Sequence, residues 1–339
     1  MTTNRYRELD ALRGIAALMV VLFHITIGRP ETKFGVTGVD LFFLISGFVI
    51  YMSITKVKDS LEFVINRVSR LYPTYWTCVT FTYILICVYK HDGSPPTHFI
   101  NYLGNMTMFQ YYLGIKDLDG PYWTMIIEMI FYIGIVILFQ FKLLKYLNAI
   151  GVTLSILMVI MTSLFHHESF VTTTITMVPL LPFIPLFFAG ITFYNIYEHK
   201  GNLRLNYCIL IILLISRILM FDYGGTAALF ITQGAYAIIL TIYFSLFTMF
   251  VNGKLKFIIC RVTLFLGKIS FPLYLIHQYI TDNVITHELL YKHHVHYWLT
   301  ISIAFVTAIV LASLVSYYIE IPASKRMREK LNSLRLRYS

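Results

Sequence analysis

The chain has 339 residues, of which 58% are hydrophobic, 16% aromatic and only 13% charged. Soluble domains carry roughly a quarter charged residues, so the composition excludes a soluble globular protein and points to an all-α, polytopic integral membrane protein. The net charge of +10 raises nucleic acid as a partner, but no recognition motif accompanies the basic residues, and lipid headgroups account for their spread over loops and a tail.

Apolar runs near the ~20 residues needed to cross the hydrocarbon layer fall in ten places: 9–28, 37–55, 72–90, 122–141, 147–165, 175–195, 203–221, 227–251, 264–285 and 295–318. The first contains Arg13, exceeds the length of a signal-peptide core and is followed by no small-residue cleavage site, so it is expected to remain in the mature protein. In the sixth, Pro179, Pro182 and Pro185 each remove a backbone donor, and a kinked or broken helix is expected. No Pro/Gly/Ser-rich linker, hydrophilic block or internal repeat divides the runs. Residues 1–325 therefore read as one transmembrane domain and 326–339 as a basic cytoplasmic tail.

Lys and Arg set the orientation. Nineteen of the 27 lie at the N-terminus, in the even-numbered connections and at the C-terminus. The odd-numbered connections hold five, namely Arg29, Lys33, Lys90, Lys116 and Lys292. Cytoplasmic loops retain positive charge, so both termini are expected in the cytoplasm. Cys78, Cys87, Cys208 and Cys260 lack metal-type spacing and read as packing residues. The loop histidines His287, His293, His294 and His296 read as a lone His-rich loop, and Asn105-Met-Thr107 is a short glycosylation-type pattern; neither is assigned a role.

Ionisable groups inside apolar runs are costly and usually mark function. "RGIAALMVVLFH", residues 13–24, places Arg13 and His24 eleven residues apart. Steps of ~100° bring the two within ~20° on one helix face, and the rise separates them by ~16 Å, comparable with an extended pantetheine arm. Asp40 begins the second run and Glu128 lies about two turns into the fourth, both from the outer side, so both are expected at the depth of His24. His277, ~20 Å along the ninth run from the cytoplasm, joins them. Lys268 is expected at Arg13's level, and Arg67 and Arg70 form an i,i+3 pair on a short helix at that surface.

A basic cluster thus faces a histidine and carboxylate cluster one leaflet away. A neutral histidine takes a proton from a hydroxyl at neutral pH, a carboxylate orients it, and arginines bind phosphate through paired donors. Structural readings stand beside these: Arg13 as an interfacial anchor, His24 as a core imidazole, Asp40 as a helix cap, Glu128 paired with Arg217, and Lys268 on headgroups.

"RYRELDALRGIAALMVVLFH", "GVDLFFLISGFVI", "FVINRVSRLYPTYW", "YWTMIIEMIFY" and "LGKISFPLYLIH" resemble, in order and spacing, the hallmark blocks of the membrane-bound acyltransferase 3 family. The resemblance implies ten core helices and transfer of acetyl or other short acyl groups from cytoplasmic acyl-CoA to extracytoplasmic or lipid-linked carbohydrate. Its Arg and His with ten residues between them fall on Arg13 and His24, its paired arginines on Arg67 and Arg70, and its acidic residue on Glu128. Where the family often has Trp-Ser-Leu, this chain has Trp123, Thr124 and Met125, which keeps a hydroxyl.

The resulting expectation is an acyl-CoA-dependent O-acyltransferase of a bacterial inner membrane. Its catalytic residues are His24, Glu128 and Asp40, with Arg13, Arg67, Arg70 and Lys268 on the donor and Trp123 and His277 on the acceptor. Acyl-CoA, by default acetyl-CoA, is a co-substrate rather than a resident cofactor; no metal is assigned. A transporter of a small anion or glycan intermediate is the alternative, although such carriers usually show paired repeats with broken helices in both halves.

Overall fold

The computed structural model describes residues 6–26, 29–89, 98–165 and 168–338, and among these the regular structure is entirely helical. The chain runs α1 (Arg7–Ile25), α2 (Gly38–Ile54), α3 (Ser60–Val88), α4 (Phe99–Asn105), α5 (Trp123–Gln140), α6 (Leu147–Leu164) and α7 (Ser169–Met177). It continues with α8 (Ile184–Tyr197), α9 (Leu203–Leu219), α10 (Gln233–Val251), α11 (Arg261–Tyr279), α12 (Tyr297–Val315) and α13 (Ile321–Tyr338). Each of the ten apolar runs has its helix. Lys90, counted above in the third connection, lies outside the described residues.

Six helical runs are long and apolar enough to cross a membrane, and the pair Ser169–Met177 and Leu181–Tyr197 makes a seventh if taken as one span. That pair is bent by 81°, the break foreseen from its prolines. Three of the ten runs fall outside this count, on α1, α9 and α11; α9 is only 17 residues long. α1 carries Arg7, Glu8, Asp10 and Arg13, and α11 is diluted by Lys268, Ser270, His277 and Gln278. α1 and α11 also carry residues of the candidate site, Arg13 and His24 on α1 and His277 on α11.

The outer surface of the bundle is apolar, as a lipid-facing surface should be. On α12, Val306, Val310 and Leu314 are exposed, whereas Ala304, Ala308 and Ala312 are fully buried, so one helix turns small residues inward and branched ones outward. The alanines pack with Leu266, Ile269 and Leu273 of α11 and with Ala17, Val21 and Ile25 of α1. Small residues at such seams let helix backbones approach closely where no hydrophobic effect drives association.

The approach is tightest between α1 and α11. A Cβ on Gly14 would stand 2.5 Å from Thr263 O and 2.6 Å from Gly267 N, and one on Gly267 would stand 2.0 Å from Asp10 O. Only glycine fits at either position. The helices run parallel from this crossing, and ten residues further along each one lies a histidine, His24 and His277.

One expectation needs correction. Arg67 and Arg70 lie on the first turns of the 29-residue α3, not on a separate short helix. Asp59 caps its start by accepting from Glu62 N at 2.9 Å, and the helix continues through Pro73. α13 runs across residues 325 and 326. This helix packs along α3, and Arg335 pairs with Asp59 and, at 3.6 Å, with Glu62.

Candidate active site

Three cavities succeed one another through the bundle. A vestibule of about 930 Å³ opens at the basic end, between α2, α3 and α13. Val49, Arg67 and Arg70 line both this vestibule and a middle cavity of about 90 Å³. Val39 and Tyr274 in turn line both the middle cavity and a chamber of about 180 Å³ that contains His24.

The middle cavity gathers Arg13, Arg67, Arg70 and Glu128. Ser46 donates to Glu128 Oε1 at 2.7 Å, and the Tyr132 hydroxyl donates to the same oxygen. Arg67 Nη2 donates to Ser53 Oγ at 2.9 Å while its Nε is buried without a partner, and Arg13 lies 3.7 Å from Asp10. Glu128 therefore belongs to the arginine cluster, contrary to the expected depth. α1 ends at Ile25, one residue beyond His24, whereas Glu128 stands five residues inside α5. The two are thus several ångströms apart along the bundle.

The partner of His24 is His277. Nδ1 of His277 lies 2.9 Å from Tyr274 O and 3.2 Å from Leu273 O. Both neighbours are acceptors, so the network assigns the proton to Nδ1 and the lone pair to Nε2. That lone pair faces His24 Nδ1 at 3.1 Å, and Val20 O lies 2.9 Å from the same nitrogen. His24 Nδ1 must then carry its proton, shared between two acceptors, which leaves the lone pair of Nε2 available. The second histidine fixes the tautomer of the first. His277 is fully buried and lines none of the three cavities, so its expected contact with an acceptor is replaced by this bond.

Asp40 and Trp123 line the chamber with His24. Asp40 Oδ1 accepts from Tyr236 at 2.7 Å and from Arg217 Nη2 at 3.3 Å, so Arg217 pairs with Asp40 rather than with Glu128. The guanidinium also donates to Met220 O and Gly224 O, each at 3.1 Å. A Cβ on Gly224 would meet Arg217 Nη2 at 2.3 Å. This buried pair ties α9 to α2 and to the 224–227 segment that walls the chamber.

Lys268 lies over the Tyr317 ring at 3.7 Å and lines none of the three cavities. At the neck between middle cavity and chamber, Thr124 donates to Pro121 O at 3.0 Å, so the Tyr274 hydroxyl, 3.0 Å from Thr124 Oγ, is the donor of that second bond.

The sequence reading passed over Asp119, which accepts from Gly120 N at 2.8 Å and Tyr279 N at 3.1 Å. It fastens the chamber wall at Gly120 and Pro121 to the end of α11. Burial pushes its carboxyl up to about 8, against the pull of the two backbone donors. An acid directly before Gly120 and Pro121, in the connection between two apolar runs, was the available signal.

A family described as an acyltransferase domain matches residues 6–317. The chain belongs to the acyltransferase 3 family. ORF330 of Acidianus two-tailed virus, provisionally named an acetyltransferase, is 24% identical over 298 residues, covering 82% of this chain and 84% of its own. Nodulation protein 10 of Rhizobium leguminosarum bv. viciae is 24% identical over 169 residues, 41% of this chain and 46% of that protein. The O-acetyltransferase OatA of Staphylococcus aureus is 35% identical over 95 residues, 25% of this chain and 15% of its own. No solved structure matches. Family membership and the apolar helices make this acyltransferase 3 protein an integral membrane acyltransferase.

Proposed function

We propose that the enzyme transfers an acetyl or other short acyl group from cytoplasmic acyl-CoA to a hydroxyl of a cell-surface or lipid-linked saccharide across a bacterial inner membrane. The observation that supports this reading is the succession of cavities from a basic vestibule to the free Nε2 of His24. Arg67 and Arg70, at the junction of vestibule and middle cavity, hold the diphosphate, and Arg13 adds its charge deeper in. The pantetheine arm follows the middle cavity, so the thioester reaches the neck at Tyr274.

His24 Nε2 takes the proton of the acceptor hydroxyl as its oxygen bonds to the thioester carbonyl carbon. The imidazolium so formed keeps its Nδ1–H on Val20 O and His277 Nε2. Collapse of the tetrahedral intermediate breaks the carbon–sulfur bond, and the sulfur takes the proton from Nε2. CoA leaves as the thiol and the acceptor as the ester. Trp123, in the chamber wall, offers a flat apolar face to a sugar ring. Glu128 serves as counter-charge to the arginines, not as the base.

Purified protein given acetyl-CoA labelled in the acetyl group and a saccharide acceptor should place label on the acceptor. A transporter with the same lining residues would exchange label across a vesicle without forming the ester, and that outcome would overturn the reading.

A further inference from the structure

The vestibule holds more positive charge than the arginines at its inner end. Lys56 in the turn after α2 and Lys325 and Arg328 on α13 also line it, with Glu62 the single carboxylate among the lining residues. Five cations thus oppose one anion. Lys325 and Arg328 are exposed to the cavity, and among the described residues neither side chain has a hydrogen-bond or ion-pair partner. Arg335, further along the same helix, is by contrast paired with Asp59 and Glu62 and pins α13 against α3.

The stripe is specific to one helix face. Ile321, Ser324, Lys325 and Arg328 are spaced i, i+3, i+4 and i+7, the pattern that lines up along a helix, and all four face the vestibule. Ser324 Oγ is buried without a partner. α13 begins at Ile321, beyond residue 317, where the family match ends.

A CoA donor supplies the complementary charge in two places. Its diphosphate adjoins the pantetheine arm and must lie at the narrow inner end, by Arg67 and Arg70. Its 3′-phosphate, with ~1.5–2 negative charges at neutral pH, is on the ribose and lies further out, where the vestibule has roughly ten times the volume of the middle cavity and the unpaired cations are Lys56, Lys325 and Arg328. Resting on the donor reading above, we propose that Lys325 and Arg328 form a subsite for the 3′-phosphate. α13 thereby selects CoA thioesters over carriers that lack that phosphate.

The test compares CoA with dephospho-CoA, which differs only in the 3′-phosphate, by calorimetry on the full chain in detergent. The wild type should bind CoA at least about tenfold more tightly, the effect of one charge-assisted contact. The double variant Lys325→Gln, Arg328→Gln should bind both alike, at the wild-type affinity for dephospho-CoA. Both side chains are exposed, and an unchanged melting transition verifies folding; Arg328→Lys, which keeps the charge, should retain most of the preference. Equal binding of the two ligands by the wild type overturns the subsite and leaves the donor reading intact. A preference that survives in the double variant also overturns it. So does equal weakening of both ligands, which would assign the two cations to a lipid phosphate or to general charge. Failure of the wild type to bind either ligand removes the donor reading, and the subsite with it.

Discussion

The vestibule and the histidine chamber solve opposite problems. The vestibule is wide, and its cations stand on long side chains, several with no fixed partner. It is built to collect charge, and such contacts adjust to their ligand. The chamber is a fifth of that volume and its groups are determined by neighbours: His24 by His277 and Val20, Asp40 by Arg217 and Tyr236, Gly120 by Asp119. Binding is delegated to adjustable charge and chemistry to fixed geometry, so changes at the two ends should separate affinity from rate.

The sharpest separation is expected at His24. His24→Gln should keep near-native CoA affinity and lose transfer by ~10²–10⁴-fold, the range for a positioned acid–base group; substantial transfer by the folded variant would remove His24 as base. Arg67→Gln should do the reverse, raising the donor Kd with a smaller effect on single-turnover rate at saturation.

Next comes the buried ion pair. Arg217→Ala leaves Asp40 uncompensated and should destabilise the protein by about 3–5 kcal/mol, read as a lower melting transition in detergent. A melting transition within a degree of wild type would show that the pair does not hold the chamber together.

His277→Phe retains an aromatic ring but removes the acceptor for His24 Nδ1–H. His24 then loses one of its two tautomer-fixing bonds, and transfer should fall by roughly ten- to a hundredfold without change in donor affinity. Unaltered kinetics would make Val20 O alone sufficient.

The remaining effect, at Asp119, is on the pH dependence of stability and not on transfer. Its carboxyl titrates near 8 in the fold against an ordinary 3.8, so the folded state binds the proton more tightly than the unfolded one. The group's contribution to stability is complete below about pH 4 and is lost as the pH rises to about 8. Asp119→Asn, which cannot ionise, should flatten that part of the stability profile, and an identical profile in the variant would contradict the assignment.

Helix positions were legible because apolar runs and proline breaks are local signals, and so was the shared face of Arg13 and His24, since both belong to one helix. What failed was depth between helices. Counting turns from apolar-run ends puts Glu128 at the depth of His24, but the ends move by several residues when a helix stops at Ile25 rather than at 28. The His24–His277 bond was hidden because it depends on the register of two segments some 250 residues apart, set by a glycine contact. The basic residues of α13 read as a tail because charge alone does not reveal that a helix folds back against α3.

The crossing of α1 and α11 at Gly14 and Gly267 acts as a fulcrum. Ten residues of helix, ~15 Å of lever arm, separate it from both imidazoles, so a change of crossing angle of about 5° displaces one ring against the other by about 1.3 Å. A misplacement near 1 Å can cost ~10²-fold in rate. Lipids or detergents that splay these two helices slightly should therefore lower transfer, by no more than the loss expected for His277→Phe, while leaving the basic end able to hold its donor.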